Sequence, residues 1–105
     1  MAYDVILAPT AVLQYRALKA NVRSVVRDAM ERHLGLQPTR VSKSRIKRLR
    51  GLAQPQYRLR VGEIRVFYDV GEERVEVLAI VTKAQAEAWL MEEGVPDEEG
   101  RAGKG

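Results

Sequence analysis

Three arginines, Arg58, Arg60 and Arg65, carry the most concentrated chemistry in this 105-residue sequence. They lie in two alternating runs, Tyr57–Val61 and Ile64–Val70, separated by Gly62-Glu63. Glycine at the first position of a two-residue connection fits a type II′ hairpin turn. That turn sets a register. Val61 faces Ile64, Leu59 faces Val66 and Tyr57 faces Tyr68 on one apolar side, while Arg60 faces Arg65 and Arg58 faces Phe67 on the other. Like charges placed directly opposite each other repel, so a fold gains nothing from this cluster unless an anion occupies it. Arginine presents a planar fork of donors matched to phosphate, and it keeps its charge at neutral pH. The cluster points to a phosphate-binding face. The competing reading is a solvated sheet face, partly neutralised by Glu63, Glu76 or the C-terminal acids.

The basic character extends upstream. Lys43, Arg45, Lys47, Arg48 and Arg50 form a run suited to phosphate contacts that position rather than specify, and they are candidate nucleic-acid-binding residues. Residues 1–68 hold 14 Lys/Arg against 4 Asp/Glu, and residues 69–105 hold 4 against 10, so a net +4 conceals +10 followed by −6. The window 40–65 alone has nine basic residues and one acid, Glu63. Such a stripe suits a polyanion or an acidic protein partner.

Other chemistries find little support. There is no cysteine, which excludes a disulfide framework, and with His33 as the single histidine a metal site would need carboxylates almost alone. Ser42, Ser44 and Thr82 have no histidine or acid at a triad-like spacing. Neither a Gly-rich phosphate loop nor a paired-acid motif occurs. No cofactor and no metal are expected. Phe67 and Trp89 have the ring surface to stack on bases, although Phe67 reads as core. His33 continues an apolar helical stripe and reads as a partly buried structural residue.

These residues need a scaffold. Tyr3–Leu7 reads as a strand. A first helix is expected over 11–20 with Thr10 as N-cap, and a second from an Asn21 cap to a stop at Gly35. Val22, Val25, Val26, Ala29, Met30, His33 and Leu34 form the stripe of the second helix. Leu36–Gln56 reads as loop-like at both ends, with Pro38 and Pro55 as breakers and the basic run between them as a flexible or extended arm anchored by Ile46 and Leu49. Strands over 57–61, 64–70 and 74–81 form an antiparallel meander. Lys83–Glu93 reads as a third helix with Ala84, Ala88 and Met91 as its stripe. The sum is an α+β, two-layer domain over 1–93, an N-terminal strand and α-hairpin packed on one face of the sheet, with a C-terminal helix. Residues 94–105 read as a disordered acidic, Gly-rich tail. The longest apolar stretch, Val77–Val81, is too short to span a bilayer. No membrane partner is expected, and the expected location is the cytoplasm.

The layout resembles a known family over roughly residues 2–92. Lys47-Arg48-Leu49-Arg50-Gly51, the stretch Tyr57–Val70 and then Val75–Ile80 are similar to RelE/ParE superfamily toxins of type II toxin–antitoxin systems. The RelE branch, favoured here, implies a ribosome-dependent mRNA endonuclease (mRNA interferase), in which the messenger's 2′-hydroxyl attacks the adjacent phosphate without a metal. By position, Arg58 and Arg60 match the basic pair that binds and orients the backbone. Arg65 and Lys83 match the groups that stabilise charge on the phosphate and the leaving oxygen. Trp89 stands where a tyrosine is common. The implied partners are a cognate antitoxin, the ribosome and mRNA, with operator DNA reached only through the antitoxin complex. Two departures stand out. Arginines replace lysines that could act as bases, and Trp89 has no hydroxyl. The alternatives are a ParE-like inhibitor of DNA gyrase, or a catalytically weak member that acts in an antitoxin co-repressor complex.

Overall fold

A computed structural model describes residues 2–97. The elements run β1 (Asp4–Leu7), α1 (Pro9–Ala17), α2 (Ala20–Ala29), β2 (Ile46–Arg48), β3 (Leu52–Gln54), β4 (Tyr57–Val61), β5 (Ile64–Gly71), β6 (Arg74–Thr82), α3 (Lys83–Glu93) and β7 (Val95–Pro96). The main sheet has the order β1-β6-β5-β4-β2, and β3 pairs with β7 in a separate two-stranded ribbon. This is the expected α+β class. The sheet is antiparallel except that β1 pairs in parallel with β6, Asp4 beside Arg74 and Leu7 beside Val77. Of the expected tail, Val95 and Pro96 thus lie in β7, and residues 98–105 fall outside the described residues.

The hairpin register is the one the turn dictates. Val61 pairs with Ile64, Arg60 with Arg65, Arg58 with Phe67 and Tyr57 with Tyr68. Gly62 sits at φ 57°, a conformation that glycine adopts without a Cβ penalty and that opens a type II′ turn. In β6 the pairing shifts between Phe67–Ala79 and Tyr68–Val77. Leu78 is the extra residue of a bulge, which the alternating pattern did not reveal.

One sheet face carries the main core. Leu59, Val66, Tyr68, Val75 and Val77 are fully buried there, beneath Ala11 of α1 and Val26 of α2. The second helix continues past Ala29 through a π-helical turn, Met30–Leu34, and Met30 and Leu34 join the core. The buried Tyr68 hydroxyl donates to the Pro38 carbonyl at 2.6 Å, which ties the long loop to the sheet. Burial, then neighbouring Tyr57, pushes its pKa up, so it remains a neutral donor.

Several local expectations are corrected. α1 starts at Pro9 with Ala8 in the cap position rather than at a Thr10 cap; proline's fixed φ suits the first helical turn. α2 starts at Ala20 with Lys19 before it, so Asn21 lies inside the helix. The basic run is an edge strand rather than a free arm: Ile46, Lys47 and Arg48 pair with Leu59, Arg58 and Tyr57. Backbone pairing to β4 supplies what a stretch with only two apolar anchors lacks. The third helix packs on the opposite sheet face, against Phe67, Ala79 and Val81, through Ala86, Trp89 and Leu90. Ala84 and Ala88 are exposed, and Met91 is 81% exposed. Four successive apolar residues, 88–91, cover most of a helix circumference at about 100° per residue, so sequence alone does not choose the buried side. The Phe67 ring chooses it by stacking on Trp89 at 5.1 Å and 7°. Thr82 caps α3 in a reciprocal box with Gln85.

Candidate nucleic-acid interface

The arginine cluster forms on the α3 side of the sheet, beyond the end of the helix's apolar contact. β4 supplies Arg58 and Arg60, and β5 supplies Arg65 opposite Arg60. Lys47 of β2 pairs with Arg58 and adds a fourth cation to the same row. Among the described residues none of these four side chains is in an ion pair; the pairs that form join Arg27 to Asp28 and Glu31. Glu63 and Glu76 therefore do not neutralise the face through direct contact.

The three arginines differ in freedom. Arg65 is 7% exposed, and its Nη1 donates to the carbonyls of Gly62 at 2.8 Å and Ile64 at 3.1 Å. It is a fixed charge under the hairpin. Arg60 is exposed. Arg58 is half-buried, and its Nε is buried with no hydrogen-bond partner. Burial first, then the charges of Arg65 and Arg60, lowers the Arg58 pKa. A buried, unpaired N–H costs roughly 1–3 kcal/mol, a cost that an incoming oxyanion removes. The arrangement can hold and polarise a phosphate. It offers no group able to take a proton near neutral pH, since a guanidinium does not give one up.

The remaining candidates are placed around this face. Lys83 is the first residue of α3, and its backbone N–H donates to Glu63 O at 2.7 Å, so it adjoins the β4–β5 turn. Trp89 keeps one ring face against Phe67. Beside it opens a hollow of about 420 Å³, also lined by Gln14, Gln54, Leu78, Glu92 and Glu93. The five residues of the basic run separate. Lys47 joins the cluster. Arg48 lies over the Tyr57 ring at 5.1 Å and donates to Gln56 O at 2.8 Å. Lys43 and Arg50 are exposed outside any strand. Arg45 precedes β2 and lines a different hollow with Arg32, His33 and Arg40. Arg32 and Arg40 carried no recognisable signal, because the fold of loop 35–45 is what brings them to Arg45. Among the described residues no group of His, Asp and Glu could hold a metal, and no helix is long and apolar enough to cross a membrane.

No protein-family model and no curated protein matches the sequence. Solved structures do match in fold. The free toxin RelE of E. coli, in a double-mutant form, superposes with a TM-score of 0.63 at 24% identity, covering 85% of this chain and 92% of that one. A chain of the RelBE2 toxin–antitoxin complex from Mycobacterium tuberculosis gives 0.61 at 24% identity, covering 78% and 99%. A chain of the archaeal RelE–RelB complex from Pyrococcus horikoshii gives 0.60 at 23%, covering 81% and 99%. The fold is that of RelE-type toxins.

Proposed function

We propose that this chain is the toxin of a type II toxin–antitoxin pair and cleaves mRNA on the ribosome. The observation that carries the reading is the cluster of Arg58, Arg60 and Arg65, in which no guanidinium is ion-paired among the described residues and one buried Nε has no partner. The fold shared with RelE structures supports it.

In this reading Arg58 and Arg60 grip the scissile phosphate, and Arg65 holds a fixed positive charge beneath it. The 2′-oxygen of the preceding nucleotide bonds to phosphorus, and the bond to the 5′-oxygen breaks. The products are a 2′,3′-cyclic phosphate and a 5′-hydroxyl. The extra negative charge on the five-coordinate phosphate meets arginines already in place, so little reorganisation is needed. The proton leaving the 2′-hydroxyl passes to water or to a ribosomal group. Lys83, next to the turn, protonates or neutralises the departing oxygen. The hollow beside Trp89 is lined by Glu92 and Glu93, so it suits an uncharged base rather than a phosphate. An antitoxin from the same operon would cover the basic face, and such a system works in the cytoplasm.

The test is purified protein on programmed ribosomes, with the messenger read by primer extension. Cuts at the A-site codon that disappear in Arg60→Gln are expected. An intact messenger, together with DNA held cleaved by gyrase, overturns the reading in favour of a gyrase inhibitor.

A further inference from the structure

A second basic hollow lies around the β2 edge from the arginine cluster. It encloses about 350 Å³, and Arg32, His33, Arg40, Ser42, Ser44 and Arg45 line it. Its three guanidiniums come from separate places: the π-helical turn, the following loop and the residue before β2. No carboxylate lines it. Asp28 faces the adjoining hollow with His33, Arg32 and Arg45, and its carboxylate lies 3.9 Å from Arg27 Nε. Among the described residues Arg32, Arg40 and Arg45 are in no ion pair.

The walls are held. Ser42 Oγ accepts from the backbone N–H of Arg45 at 3.0 Å and of Ile46 at 3.2 Å, which leaves its own proton as a donor. Arg40 Nη1 donates to Gln37 Oε1 at 2.9 Å. The Arg45 carbonyl accepts from the Arg60 N–H at 2.8 Å, so the backbones of the two basic sites are directly hydrogen-bonded. Adjacent strands are about 4.8 Å apart. One polynucleotide strand crossing the β2 edge can thus meet both.

We propose that the Arg32–Arg40–Arg45 hollow is a second phosphate site, which takes a backbone phosphate of the same RNA outside the scissile step. This rests on the RNA-cleaving reading and adds a positioning contact to it. Clustered guanidiniums with hydroxyl donors and no acid match the phosphodiester group, whose contacts fix register without reading sequence. The lowered His33 pKa, caused by burial first and then by Arg45 and Arg32, agrees with a positive field that has no anion in it.

His33 is the one histidine of the chain, which makes its imidazole resonance an unambiguous reporter. The experiment titrates the full chain with a 2′-O-methyl RNA oligonucleotide, which cannot be cleaved, and follows that resonance against pH. A saturable shift and a rise of the His33 pKa on RNA binding are expected, since a nearby phosphate favours the imidazolium. In the double variant Arg32→Gln/Arg40→Gln the RNA-induced change should vanish and affinity should fall about tenfold. The salt slope should become shallower by about 0.7, the share of the single phosphate that this variant no longer neutralises. In Arg60→Gln the His33 response should persist while cleavage is lost. An oligonucleotide that binds without moving His33, from a protein that still cuts the messenger on programmed ribosomes, overturns this site and leaves the cleavage reading standing. A response to inorganic phosphate alone, or a stronger response to a poly-glutamate peptide than to RNA, also overturns it. No oligonucleotide binding together with an intact messenger on programmed ribosomes overturns both readings.

Discussion

The two faces of the β4–β5–β6 sheet are built from the same three strands and do opposite things. The face under α1 and α2 is closed: Leu59, Val66 and Tyr68 are fully buried, and the one polar group among them, the Tyr68 hydroxyl, donates to Pro38 O. The face toward α3 is apolar only over Phe67, Ala79 and Val81. Beyond them it accumulates like charge, and Arg58 Nε is left without a partner. A strand that alternates every residue can thus serve stability with one set of positions and binding with the other. The contrast separates the sites where substitutions should damage folding from those where they should damage activity.

Leu59→Ala attacks the closed face and should cost about 2–5 kcal/mol, from reduced burial and the cavity left behind; the midpoint of urea unfolding reads it. Arg58→Met attacks the open face. It keeps an apolar stem, relieves repulsion and removes the orphaned N–H, so thermal stability should hold or rise. Cleavage on the ribosome should fall about 100-fold, the scale of removing one preorganised donor to a transition state. A large stability loss with unchanged cleavage would erase the distinction between the faces. Gly62→Ala touches the turn that aligns both faces and should cost about 1–2 kcal/mol at its positive φ, with cleavage reduced in proportion to the disturbed register.

The smallest effect belongs to His33. Its pKa is lowered below 6.5 in the folded chain, by burial first and then by Arg45 and Arg32. The unfolded chain therefore takes up the proton at higher pH than the folded one. The associated stability is complete above the unfolded pKa and is lost as pH falls through the folded value. Urea midpoints at about pH 7.5 and about pH 5.5 should differ more for the natural chain than for His33→Gln, in which this position no longer titrates. Equal differences would reject the linkage.

The hairpin and its arginine pair were legible because a two-residue turn leaves one register, and a one-residue slip would expose Leu59 and Val66. The helical stripe was legible for the same reason of period at Val26, Met30 and Leu34, which are buried, whereas Val25, read as part of it, is 58% exposed. What escaped was set by distant contacts. The buried side of α3 depends on the Phe67 ring, because residues 88–91 are apolar all round. The β2 strand has three residues and one buried side chain, Ile46, so it forms only because β4 offers an edge. Lys47 was thereby drawn to the arginine row, while Arg45 was turned into the hollow with Arg32 and Arg40. The parallel seat of β1 beside β6 likewise had no local mark.

The stack of Trp89 on Phe67 has an optical consequence. The chain contains one tryptophan, and its indole is stacked on Phe67, the residue that pairs with Arg58 across β4 and β5. Its emission therefore reports the seating of the C-terminal helix on the sheet and the filling of the hollow beside it. Any ligand that lifts or tightens that helix should change the intrinsic fluorescence of the protein without a label, at the moment the basic face is covered or uncovered.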